Sequence, residues 1–166
     1  MNGKPNLTLV DETLSIKSPI TTVFGFLSNH ENYIRWFPGV VSVTSHDDLP
    51  HGAVGKSYSE ALRMPTGRTR TISIEVLESQ PPTLFVMQAD FAPLHPRTEI
   101  RLRAELPDET VVNWKFFSRS QSVIGRLLIG TLVRKSLARR SEMGLLELKR
   151  ILEGGGAMTG AIEPIA

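Results

Sequence analysis

Two apolar periods divide this chain, and the switch between them limits its fold more than any other feature. Between Val41 and Phe117 apolar residues recur mostly at every second position, the spacing of strands with one face turned inward. From Ser122 to Glu153 they recur at every third or fourth, with Ile124, Leu127, Leu128, Leu132, Leu137, Leu145, Leu148, Ile151 and Leu152 on one broad stripe. That is the pattern of one long amphipathic helix. A half-buried sheet followed by one striped helix buries each against the other.

The strands can be placed individually. Leu7 to Ser18 alternates Leu14 and Ile16 with Ser15 and Lys17 and reads as a first strand, stopped by Pro19. Ser18-Pro19 suits a helix start, with serine as the cap and proline in the first turn. Val23, Phe24, Phe26 and Leu27 then give a short helix ending near Asn29. A second short helix over His30 to Phe37 carries Tyr33, Trp36 and Phe37 at i, i+3 and i+4 before Pro38-Gly39. Further strands follow: one around Val41 and Val43, one with Tyr58, Glu60 and Leu62 on a shared parity, and one with Ile72, Ile74 and Val76. Leu84 to Ala89, Arg97 to Leu106 and Val111 to Phe117 complete about seven, separated by Pro- and Gly-bearing turns. Gly130 and Gly144 fall inside the helical stripe. Each costs about 1 kcal/mol relative to alanine, so the helix kinks there or a neighbour packs unusually close. Gly154-Gly155-Gly156 ends it.

At 166 residues, with 40% hydrophobic and 22% charged content, the chain has the size of one domain with a real core. Residues 1–153 are assigned to it and 154–166 to a Gly-, Ala- and Pro-rich tail. The sequence contains no cysteine, which removes disulfides, thiolate metal ligands and a cysteine nucleophile. No run approaches the roughly 20 apolar residues of a membrane span, and the chain is read as cytoplasmic. A net charge of +2 gives no case for nucleic acid. His46, Asp47, Asp48 and His51 are the one group with metal-ligand residue types. They lack a recognised spacing, so no metal and no cofactor are expected.

Ile16-Lys17-Ser18-Pro19 with Val23-Phe24, Phe26-Leu27-Ser28-Asn29, Tyr33, and Trp36-Phe37-Pro38-Gly39-Val40 resemble the opening of the polyketide cyclase/dehydrase and lipid-transport superfamily (START-related, SRPBCC proteins). Gly144-Leu145-Leu146-Glu147-Leu148-Lys149 is similar to the close of its last helix. The resemblance spans about residues 7 to 153. It implies an α+β helix-grip fold: a curved antiparallel sheet of about seven strands around a long C-terminal helix, with two short helices between strands 1 and 2. Members of that superfamily range from lipid carriers to aromatic polyketide cyclases, so the fold alone does not choose a function. A sheet gripping one helix leaves a gap that a ligand can occupy.

The primary expectation is binding or carriage of a hydrophobic small molecule, whether lipid, isoprenoid or aromatic. The rival is a cofactor-free cyclase or dehydratase working through cavity acid–base groups. The candidate lining is Tyr58, Glu60, Ile72, Ile74, Gln88, Arg97, Ile100, Leu102, Trp114, Phe116 and Leu128. Glu60 is the leading carboxylate if its strand parity faces inward; the opposite parity places it in solvent. Gln88 depends on the same question for its strand. Arg97, in a loop with His95, has the fork to hold a carboxylate or phosphate. Trp114 and Phe116 suit stacking on a ring. Arg126, Arg134, Lys135, Arg139 and Arg140 form a basic run on the last helix, suited to transient contact with an anionic membrane surface or to plain solvation. The chain is taken as a monomer or homodimer.

Overall fold

The structure, a computed structural model, describes residues 7–64, 66–120 and 133–155. Seven strands form one antiparallel sheet in the order β1-β7-β6-β5-β4-β3-β2. They are β1 (Leu7–Ile16), β2 (Val40–Ser45), β3 (Ser57–Arg63), β4 (Thr69–Gln80), β5 (Leu84–Asp90), β6 (Pro96–Leu106) and β7 (Glu109–Ser118). Strands β2 to β7 run as a meander, and β1 returns to pair with β7. Between β1 and β2 the chain crosses to the far edge through α1 (Ile20–Ser28) and a 3-10 turn, His30–Arg35. The second long helix, α2 (Arg134–Arg150), closes the fold.

Register shifts interrupt the ladders at Thr8/Val10, Val40/Ser42, Val76/Glu78 and Ala104/Leu106. Such bulges bend and twist the strand that carries them, and here the sheet curves into the grip. Cross-strand pairs set the inner face: Glu60 opposite Ile72, Tyr58 opposite Ile74, Ile74 opposite Ala89, and Ile100 opposite Trp114. Ile72, Ile74, Met87, Ala89, Ile100 and Trp114 share one core with Leu145 and Leu148 of α2. Fully burying a leucine such as Leu148 is worth about 1.5–3 kcal/mol.

Two local details explain how the helices are held. Ser18 was the expected cap of α1, but Pro19 occupies the cap position and no side chain caps the helix. Instead Pro19 O accepts from Val23 N at 3.1 Å, while the Ser18 carbonyl accepts from Thr110 Oγ1 at 2.7 Å. The 3-10 turn is capped by Asn29, whose side chain accepts from Glu31 N at 3.0 Å, and this sets the direction in which His30 leaves the backbone. At the other end, Lys149 Nζ donates to the Ser15 carbonyl, and Glu153 Oε1 accepts from Lys17 N at 2.7 Å. These bonds tie the end of α2 to β1.

Gly144 answers the choice posed by its place in the helix. A Cβ there would lie 3.1 Å from Phe37 and 3.2 Å from the Trp36 carbonyl, so close packing of α2 on the aromatic turn requires glycine. Gly154 has φ +96° and ends the helical segment. Gly130, Leu128, Arg126 and most of the first half of the expected Ser122–Glu153 helix lie outside the described residues, as does the tail from 156. On β6 the alternation outlasts the core: Ile100 and Leu102 are buried, whereas Ala104 and Leu106 are exposed where the strand runs past the helix. Among the described residues no helix is long and apolar enough to cross a membrane.

Candidate functional site

Between the sheet and the start of α2 lies a cavity of about 350 Å³, within the usual range for small-molecule sites. Its walls come from β3 to β7, from the 3-10 turn, and from Val133, Ser136, Leu137 and Arg140. Aromatic side chains form one connected run along it. Tyr33 stacks on Phe37 at 4.7 Å, Phe37 meets Trp114 at 5.9 Å, and Trp114 stacks on Phe116 at 5.7 Å. The spacing of Tyr33, Trp36 and Phe37 turns these rings toward β7, while alternation on β7 turns Trp114 and Phe116 toward them. Trp114 is 1% exposed and its Nε1 has no hydrogen-bond partner among the described residues.

A buried polar pair stands in the mostly apolar wall. His30 Nε2 lies 2.7 Å from Glu60 Oε2, with both side chains 4% exposed. The pair joins the capped 3-10 turn to the middle of β3, and Tyr33 stacks on His30 at 4.8 Å. Burial holds the Tyr33 hydroxyl well above the usual tyrosine range, the Glu60 charge raises it further, and Arg140 opposes both. The hydroxyl therefore stays protonated and can donate a hydrogen bond into the cavity. Arg140 reaches from α2 to the cavity, where its Nη2 donates to the Arg63 carbonyl at 3.4 Å.

Behind the wall, Tyr58 is fully buried, edge-on to His30 at 5.4 Å, with its hydroxyl 3.0 Å from His51 Nδ1. Its pKa is pushed up to about 12, chiefly by burial and then by the Glu31 and Asp47 charges, against a hydrogen bond from the His30 backbone. Because the folded value lies above the unfolded one, near 10, this contribution is whole below pH ~10 and disappears as pH rises toward ~12. A loss on the order of 2 kcal/mol over that window is expected. The chain has two tyrosines, both shifted upward, so tyrosinate absorbance in a pH titration checks this directly. Half-ionised tyrosine near pH 10 in the folded protein would refute it.

The structure brings some of the expected residues to the cavity and moves others away. Glu60, Ile72, Ile74, Ile100, Trp114 and Phe116 line it. Tyr58 and Leu102 do not; both are packed into the core beside it. Gln88 borders the cavity, but its side-chain amide donates to Glu75 at 3.2 Å on the exposed side. Met87 and Ala89, of the opposite parity, join the core there. Arg97 alternates with the lining residues Pro96 and Thr98, so its side chain lies on the other face of β6. Leu128 lies outside the described residues.

The loop group is taken up by structural bonds. Asp47 accepts from Ser57 and pairs with the buried Lys56 at 3.1 Å, and His46 lies 2.7 Å from Ser59 Oγ. Among the described residues no cluster of three His, Asp or Glu side chains is placed to hold a metal ion. In the basic run Arg134, Lys135 and Arg139 are exposed, but Arg140 turns under the helix to the cavity. Sequence reasoning missed His30, Tyr33, Arg63 and Arg140 as lining residues. The aromatic spacing was visible as a helical stripe. The pairing of His30 with a residue thirty positions away carried no local signal.

Solved structures share this architecture. The di-domain ARO/CYC StfQ from the steffimycin biosynthetic pathway is similar with a TM-score of 0.69 at 13% identity, covering 92% of this chain and 53% of that one. The di-domain ARO/CYC BexL gives 0.66 at 19% identity, covering 90% and 50%. A protein of unknown function from Staphylococcus aureus gives 0.65 at 11%, covering 91% and 97%. This chain spans about half the length of the two di-domain proteins, and at these identities the likeness shows the fold. No curated protein matches the chain. The helix-grip architecture agrees with a family model, described as polyketide cyclase/dehydrase and lipid transport, that matches residues 8–153, and the chain belongs to that family.

Proposed function

We propose that this protein binds a hydrophobic, ring-bearing small molecule in the cavity between sheet and α2. The observation that carries this reading is the aromatic run Tyr33, Phe37, Trp114 and Phe116 along a space of about 350 Å³. Offset aromatic pairs contribute about 0.5–1.5 kcal/mol each beyond their buried area, which favours a flat ligand over a simple acyl chain. The family description, which includes lipid transport, supports the same reading. A neutral apolar dye, N-phenyl-1-naphthylamine, is expected to bind the native protein at one site and to be displaced by aromatic competitors. Binding that appears only on denaturation would reject the cavity as a ligand site.

A second reading, a cofactor-free cyclase or dehydratase, is favoured by the buried His30–Glu60 pair. A carboxylate on an apolar wall, held by an imidazole, is suited to take a proton from a carbon or hydroxyl of a polyketide-like ligand, with Tyr33 donating to an oxygen. If turnover exists, Glu60→Gln is expected to lower it by about 100-fold or more. A fall of less than about threefold would remove Glu60 from that role.

A further inference from the structure

We infer that the ligand is an aromatic anion, oriented with its charged group on Arg140 and Arg63 and its ring body against Trp114 and Phe116. This rests on the cavity reading above and adds the ligand's chemical class and its orientation in the site. Arg140 is set in place by its surroundings. Its guanidinium lies against Gly39, where an added Cβ would come within 1.7 Å of Nη2. Gly39 also has φ +90°, so glycine is favoured there by backbone and space together. The Gly39 carbonyl accepts from Arg63 N at 2.8 Å, and Arg140 donates to the Arg63 carbonyl at 3.4 Å. One long bond to a neutral carbonyl leaves most of the guanidinium's five donors available.

Both arginines line the cavity, and neither has a carboxylate partner among the described residues. Arg63 is exposed at the rim, whereas Arg140 is half-buried on a mostly apolar wall. There, without a counter-ion, its guanidinium attracts an anionic oxygen more strongly than one in water because screening is weaker. Glu60 supplies the opposite preference. Its side chain is buried within β3, whereas Arg63 stands at the exposed end of that strand, where Arg140 meets it. An anionic group is repelled from the Glu60 side and drawn to the Arg140 side, which orients the ligand.

The test compares two dyes of the same aromatic body: neutral N-phenyl-1-naphthylamine and its sulfonate, 1-anilinonaphthalene-8-sulfonate. Each is titrated into the native protein, and mutual displacement establishes that they share one site. The anionic dye is expected to bind at least about tenfold more tightly, the size of one charge-assisted hydrogen bond. In Arg140→Gln the ratio of the two affinities should fall by about tenfold, and Arg63→Gln, further out on β3, should lower it by a smaller factor. Circular dichroism establishes that each variant is folded. If Arg140→Gln does not fold, the ratio in Arg63→Gln decides. Equal affinity in the parent protein, or a ratio that survives the substitutions in folded variants, overturns the proposal while the cavity reading stands. Failure of both dyes to bind overturns the cavity reading and this proposal with it.

Discussion

Replacing His30 by leucine is expected to destabilise the fold by about 1–3 kcal/mol or more, the cost of leaving a buried polar group without its hydrogen-bond partner. Glu60 is 3% exposed, and its side chain meets the His30 ring at 2.7 Å. The double variant His30→Leu with Glu60→Leu is expected to recover most of the loss, since replacing both partners of a buried hydrogen bond by apolar residues is often nearly neutral. Urea unfolding of the two singles and the double gives the coupling directly. A single-variant cost below about 1 kcal/mol, or a double variant no better than the singles, would show that the two side chains do not depend on each other for their hydrogen bonding. Recovery in the double has a second meaning. It would show that the polar pair is kept for something other than stability, which is the expectation for groups that meet a ligand.

Trp114 gives the other large effect. Trp114→Ala is expected to cost about 3–5 kcal/mol, because it removes the largest fully buried side chain from the junction of sheet, aromatic turn and cavity. Trp114→Phe should behave differently. It gives up part of the ring area but also removes an indole N–H that is buried without a partner among the described residues, and an unsatisfied donor costs about 1–3 kcal/mol. The two terms oppose each other, so Trp114→Phe is expected within about 1 kcal/mol of the parent. Denaturation midpoints measured at constant slope decide it. A phenylalanine variant as unstable as the alanine one would mean that Nε1 makes a bond not visible in this structure.

Much of the architecture was legible because its signals are local. A period of two needs only a short segment to declare itself, as in Ile72, Ile74 and Val76, and each strand so identified lies in the sheet. Proline and glycine punctuation divided the meander, and Gly144 posed a choice between a kink and a close approach that the Phe37 and Trp36 contacts decide for the latter. The cavity was harder to read, for two reasons. On β5 both parities are apolar and buried, from Leu84 through Met87. Alternation there could not say that Met87 and Ala89, rather than Val86 and Gln88, turn inward. Tyr58 and Leu102 have the correct parity, but position along the strand, which the pattern does not report, places them beyond the cavity's reach.

By itself the sequence determined which segments are strands, where they turn, which stripe of the last helix is apolar, and that a sheet and a helix must share one core. Each of those follows from side chains a few residues apart competing for water or burial. Tertiary structure alone decided the chemistry of the interior. His30 meets Glu60 across thirty positions, and Arg140 reaches Gly39 and Arg63 across more than seventy-five. Such meetings depend on how far a bulged sheet curves and where a helix lands on it, and neither quantity is written in any local pattern of residues.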